Sequence, residues 1–340
     1  MLELLKNLCV LRGVSGSEEP VRNYILSQIQ GHCEYTVDSI GNILAFKRGK
    51  KAAKHTVMLS AHMDEVGLIV TSITEKGGLR FAPVGGIDPR VIFGRRVLVG
   101  ASAIKGVIAA KPLHLLSSDE KGTAPSSEAL TIAIGAFSRS EALRHVSLGD
   151  TATFDTQSEE LGSGLLKAKA LDDRAGCAIL IDIIKGEIAC DLHFAFVVQE
   201  EIGLRGAKCA AYSINPEFAL VAEATTAADI PEVPESKRVC KLGGGAVISF
   251  MDSRTIYDKE MYKVAFELGK KLNIPLQAKE AVAGGNDAGA IHTSRSGVRT
   301  LAVSLPCRYL HSPASLISLS DLTAARGILA ALGEDFAEAK

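Results

Sequence analysis

Thr56-Val57-Met58-Leu59-Ser60-Ala61-His62-Met63-Asp64 decides the reading of this chain, because an apolar β-rich run ends there in an imidazole and a carboxylate. The pattern recurs three times. Leu192-His193-Phe194-Ala195-Phe196-Val197-Val198 leads to Glu200 and Glu201, Phe218-Ala219-Leu220-Val221-Ala222 to Glu223, and Thr300-Leu301-Ala302-Val303-Ser304 through Pro306 to His311. Short apolar runs separated by helical stretches read as a parallel sheet buried on both faces. Ligands of open α/β sheets bind at the carboxyl ends of the strands. One sheet edge would therefore collect two imidazoles and several carboxylates, whose mutual repulsion calls for cations. A metal site is the reading that follows.

Composition bounds the class. The 340 residues suffice for one large domain or two smaller ones, 47% are hydrophobic, and no apolar run is long enough to span a bilayer. A formal net charge of -1 gives no electrostatic argument for nucleic acid or for a membrane surface. Met1-Leu2-Glu3-Leu4-Leu5-Lys6 reads as an amphipathic helix and not as a signal peptide. The seven cysteines are scattered and never spaced Cys-x-x-Cys, so reduced thiols in a cytoplasmic protein are expected, without a thiolate metal site.

The texture changes along the chain. Ser17 is expected to cap a helix with Glu18, Glu19 and Pro20 in its first turn. From about Gly67 to Gly164 the pattern is β-only, with a hairpin signal at Glu75-Lys76-Gly77-Gly78 and strand pairs at Val97-Leu98-Val99 and Lys105 to Ala110. Helical periodicity returns at Arg174 to Ile184 and at Asp258 to Leu272, with Asp258 as the cap. The expected fold is α/β: a mostly parallel sheet flanked by helices over 1–66 and 164–340, interrupted over 67–163 by a small barrel-like all-β domain.

His62 and Asp64 fall on one side of an extended segment, so Asp64 suits the role of orienting a ligating His62. Asp172 and Asp173 sit at a loop-to-helix junction, where an acid either caps the helix or bridges two metals. Of the adjacent Glu200 and Glu201, one can ligate while the other acts as general base. Glu223 and His311 are structural residues taken singly and further donors taken together. The other six histidines have no comparable context, His292 being the nearest to an exception. The Gly-rich stretch Ala283 to His292 permits close approach of a ligand to backbone, but carries no nucleotide-binding pattern.

Six segments in order carry a resemblance. They are Gly-Val-Ser-Gly-Ser-Glu-Glu-Pro from Gly13, Ala-His-Met-Asp-Glu-Val-Gly from Ala61, Leu-Asp-Asp-Arg-Ala-Gly from Leu171, Gln-Glu-Glu-Ile-Gly-Leu-Arg-Gly-Ala from Gln199, Gly-Gly-Asn-Asp-Ala from Gly284, and His-Ser-Pro from His311. At these residues the chain resembles the dinuclear metallo-aminopeptidases that include glutamyl aminopeptidases, deblocking aminopeptidases and TET peptidases, some labelled "cellulase M". The resemblance implies a zinc-exopeptidase-like catalytic domain with a dimerisation barrel inserted in it. It implies two divalent ions, zinc or cobalt, on His62, Asp172 (bridging), Glu201, Glu223 and His311. It implies Glu200 as general base, Asp64 as the residue that orients His62, and substrate contacts at Gly285, Asn286 and Asp287. It further implies two-metal activation of water to release N-terminal residues from short peptides, in a homo-oligomer of dimers assembling into a dodecamer. Glu223 stands where many relatives carry Asp, and Asn286 where Thr is common. In related dinuclear peptidases the first choice loosely follows specificity, so a deacylase or carboxypeptidase on the same centre is the alternative.

Overall fold

The structure, a computed structural model, describes residues 1–118 and 121–339. The strands in chain order are β1 Glu34–Val37, β2 Ile43–Lys47, β3 Val57–His62, β4 Gly67–Ile73, β5 Leu79–Val84, β6 Arg96–Val99, β7 Ile104–Ala109, β8 Thr131–Ala133 and β9 Thr151–Phe154. They continue as β10 Glu159–Leu161, β11 Leu165–Ala168, β12 Leu192–Val197, β13 Phe218–Thr226, β14 Ala246–Ile248, β15 Leu276–Ala278, β16 Arg299–Cys307 and β17 Ser315–Ser318.

The main sheet has eight strands in the order β1-β2-β12-β3-β13-β16-β14-β15. Its four central strands are mutually parallel, while β2 and β14 join them antiparallel. Every residue of β3 is buried, which explains why its sequence is a continuous apolar run rather than an alternation. Helices Leu171–Lys185 and Leu319–Ala337 pack on each other and on β3 and β13, and helices Arg205–Ile214 and Ala288–Ile291 form a second packed pair. In register, Ser60 pairs with Val221 and His62 with Val197, so the ends of β3, β12 and β13 lie level.

Strands β4-β5-β8-β7-β6-β9 close into an antiparallel barrel. Its core, with Leu68, Val70, Phe81, Val99, Ile108 and Ile132, is separate from that of the main sheet. The barrel leaves the sheet at the end of β3. The chain returns through the hairpin β10-β11, which pairs with β17.

Local signals fared unevenly. Asp258 caps helix Lys259–Leu272 by accepting from the Glu260 and Met261 amides, both at 3.0 Å. Ser17 does not cap the second helix. That helix runs Glu19–Ile29 from Glu18, whose carboxylate accepts instead from the Gly16 amide (2.7 Å) and the Gln199 amide (3.2 Å). The long-range contact to Gln199 is what a local capping rule leaves out.

Candidate metal centre

At the carboxyl ends of the parallel strands the five predicted donors converge. His62 Nε2 lies 3.1 Å from Asp172 Oδ1 and 3.7 Å from Glu223 Oε1. His311 Nε2 lies 3.2 Å from Asp172 Oδ2 and 3.2 Å from Glu201 Oε1. Asp172 thus offers one oxygen to each of two sets, and each set holds one imidazole and one further carboxylate.

The entry to helix Leu171–Lys185 makes this possible. Ala170 has φ 53°, Asp172 and Asp173 are non-helical, and the peptide between them is cis. Capping falls to Asp173, whose Oδ1 accepts from the Gly176 amide at 2.9 Å and whose Oδ2 accepts from the His62 amide at 3.3 Å. Asp172 does not cap, and both of its oxygens face imidazoles. Donor atoms of His62, Asp173 and Glu223 also lie within 4.8 Å of one another. With both Asp173 oxygens engaged by backbone amides, Asp172 is the better donor.

Both imidazoles are held from behind. His62 Nδ1 sits 3.1 Å from the Asp64 carbonyl and 3.4 Å from its carboxylate, and His311 Nδ1 sits 2.8 Å from the Gly86 carbonyl. An Nδ1 proton on a carbonyl leaves the Nε2 lone pair free for a cation. Gly86 follows β5 of the barrel, so the inserted unit reaches into the centre. Asp64 is fully buried, accepting from the Ser15 hydroxyl (2.6 Å) and from the amides of Glu200 (3.0 Å) and Glu201 (3.2 Å). No motif or periodicity pointed to Gly86. Ser15 lies within a quoted motif, yet its role needs the fold.

The electrostatics are those of an acid cluster. Burial drives the Glu200 carboxyl well above the usual range, with His62 opposing and Asp287 and Glu201 adding to the rise. Burial likewise raises Glu201 and Glu223. Burial would also raise Asp64, but His62 and the Ser15 hydroxyl outweigh it and hold the carboxyl low. His311 is pushed up to about 11, its burial outweighed by Asp172 and Glu201. Two imidazoles and three carboxylates in two sets sharing one carboxylate fit two hard or borderline divalent ions.

The three predicted substrate contacts lie on one loop but in different settings. Gly285 lines a cavity of about 140 Å³ together with Asp172, Glu200, Glu201, Glu223 and Lys279. Asn286 lines it too, although its amide donates to Tyr257 Oη (3.0 Å) and its Oδ1 accepts from the Ala288 amide (2.9 Å). Asp287 is buried, neither of its oxygens has a hydrogen-bond partner, and burial pushes its pKa up to about 7. Lys279, absent from the sequence reading, donates to the Ala283 carbonyl at 2.6 Å. A larger cavity of about 840 Å³ opens on the other side of His311, lined by Gly86, Arg90, Arg95, Lys167 and Pro313.

Known proteins resemble the chain over most of its length. Residues 41–328 match the model of the M42 glutamyl aminopeptidase family. The lysyl aminopeptidase of Pyrococcus furiosus is 32% identical over 94% of this chain and 93% of its own length. The glutamyl aminopeptidase of Lactococcus lactis is 29% identical over 98% and 95%. The structure of Pyrococcus horikoshii TET1 peptidase, which assembles into a tetrahedron or a large octahedral shell, superposes with a TM-score of 0.88 at 36% identity over 98% of both chains. The fold and site together are those of a peptide hydrolase of the aminopeptidase class. The chain belongs to the M42 glutamyl aminopeptidase family.

Proposed function

We propose that this protein is a dinuclear metallo-aminopeptidase that releases the first residue of short peptides. The observation that carries the reading is the Asp172 carboxylate divided between two histidine–carboxylate sets. His62, Asp172 and Glu223 would hold one ion and His311, Asp172 and Glu201 the other, with zinc or cobalt suited to such donors. When bound, the ions supply Lewis acidity that polarises the scissile carbonyl and makes water a nucleophile near neutral pH.

The remaining work belongs to side chains. Glu200, in the wall of the small cavity, accepts the proton of the attacking water and returns it to the leaving amine. Asp64 orients His62 and, through the Glu200 and Glu201 amides, sets the turn that carries both acids. The small cavity suits one residue and the large one the rest of the peptide, which meets the geometry of an exopeptidase. Carboxylates around the small cavity suit a free ammonium. Lys279 lines the same cavity and forms no ion pair among the described residues; burial lowers its pKa, and an acidic first side chain would offset that effect and favour the ammonium.

The barrel, within the insert over 67–163, is proposed as a dimerisation unit, with 1–66 and 164–340 forming the catalytic unit. Phe93, Leu115, Phe137, Leu143 and Leu148 of the insert are all more than half exposed, apolar side chains that contact with a partner copy would cover. We propose further assembly of such dimers into a dodecamer, the number of copies in the asymmetric unit of the PhTET1-12s structure. A cytoplasmic setting accords with the seven free cysteines.

The test pairs one short peptide with its N-acetylated twin, each with added zinc or cobalt and with chelator. Metal-dependent release of the first residue from the free peptide alone is expected. Preferential cleavage of the acetylated twin would replace the aminopeptidase reading with a deacylase.

A further inference from the structure

We infer that Glu65, Lys169 and Arg174 form a buried clamp that positions the metal centre, an inference that rests on the dinuclear reading above. The Lys169 ammonium donates to both Glu65 oxygens at 2.8 Å and to the Leu11 carbonyl at 2.7 Å. Glu65 Oε1 also accepts from the Gly13 amide (3.1 Å) and from Arg174 (3.4 Å), whose other guanidinium nitrogen donates to the Leu8 carbonyl at 2.7 Å. The three side chains are between 0% and 3% exposed, so none is in contact with bulk water.

Their place in the chain gives the cluster its function. Glu65 directly follows Asp64, and Lys169 and Arg174 bracket Asp172 and Asp173. The clamp therefore joins the segment that presents His62 and Asp64 to the segment that presents the shared Asp172. These segments are also the strand end from which the barrel departs and the stretch by which the chain returns. Asp172 must meet His62 and His311 at once, so a sub-ångström slip between the two segments would separate the sets. A narrow cavity lined by Glu65, Lys169, Asp172, Glu201 and His311 brings the clamp to the edge of the His311 set.

Stability alone does not account for these charges. Desolvating buried ions offsets most of their attraction, and replacement by apolar residues of similar volume is often neutral or stabilising. A fixed geometry is what the apolar replacement would lack.

That contrast supplies the test. Glu65→Leu with Lys169→Met and Arg174→Met removes all three charges and leaves an apolar filling, and Glu65→Gln keeps the shape while removing one charge. Apo protein of each form is titrated with cobalt against a chromogenic chelator, with the cobalt d–d spectrum and thermal midpoint recorded. The wild type is expected to bind two ions. The triple variant should keep a thermal midpoint near that of the wild type, lose about 10- to 100-fold in affinity for one ion, and show an altered spectrum. Glu65→Gln should show the same loss of affinity, and it decides the matter if the triple variant does not fold. Wild-type affinity and spectrum in the folded variants would overturn the clamp and leave the centre intact. A wild type that binds no cobalt would overturn the dinuclear reading itself, and the clamp with it.

Discussion

Glu200 and Lys279, a carboxylic acid and an amine, face the same small cavity, and each should fail in its own way when replaced. Glu200→Gln removes the proton acceptor but none of the five proposed ligands. Metal content should remain at the wild-type level by elemental analysis while kcat falls by about 10²- to 10⁴-fold. A variant with near-normal kcat would remove Glu200 from the mechanism. Lys279→Met keeps length and apolar stem but removes the ammonium. Peptides beginning with an acidic residue should lose kcat/KM relative to those beginning with a neutral one. An equal change for both would show that Lys279 supports the loop through the Ala283 carbonyl without reading the substrate. Ser15→Ala deletes the hydroxyl that donates to buried Asp64. Hydrogen bonds to charged groups contribute about 1.5–3 kcal/mol, and a fall of that order in unfolding free energy by denaturant titration is expected.

Between β16 and His311, the bidentate pair of Arg308 with Asp229 anchors the strand end. Arg308 Nε donates to Asp229 Oδ1 at 2.7 Å and its terminal nitrogen to Oδ2 at 3.0 Å, while the Leu242 amide donates to Oδ2 at 2.9 Å. Burial alone would raise the Asp229 pKa, but Arg308 and the Leu242 amide outweigh it and hold the carboxyl low. A depressed folded-state pKa contributes stability above the unfolded value of about 3.9, and that contribution is lost as pH falls through the folded value. The stability gap between the wild type and Asp229→Asn should therefore be constant near neutrality and shrink below about pH 4. Urea unfolding at several pH values reads it, and a gap that grows on acidification would reverse the assignment.

The same elements show what a linear reading could reach. The apolar runs of β3, β12, β13 and β16 are buried on both faces, so their composition announced them, and the acids and imidazoles at their ends were legible as donors. The division of labour between Asp172 and Asp173 was not. Capping preference favours neither acid, and the outcome depends on the distorted turn at Ala170. Nor was Gly86 legible, since its carbonyl meets His311 across 225 positions, a separation at which no periodicity survives. Asn286 was expected as a substrate contact from the resemblance alone, and it does line the small cavity. Its side chain also joins Tyr257 in a buried network that only the tertiary fold brings together.

For the whole molecule, the barrel's exposed apolar side chains make assembly testable. Phe137, 87% exposed, is far from the proposed ligands in sequence and lies outside the barrel core. Phe137→Glu should shift the mass measured by light scattering towards smaller species. An unchanged mass would move the proposed contact elsewhere on the insert.

The interleaving of the two units also bears on how the protein is made. During synthesis His62 emerges first, the entire barrel follows, and only then come Asp172, Glu200, Glu201 and Glu223, with His311 last. Strand β3, the middle of the site, has neighbours β12 and β13 that are synthesised far later, so it must wait unpaired while the barrel closes on local contacts. A growing chain thus has no complete set of donors until its last ligand is translated.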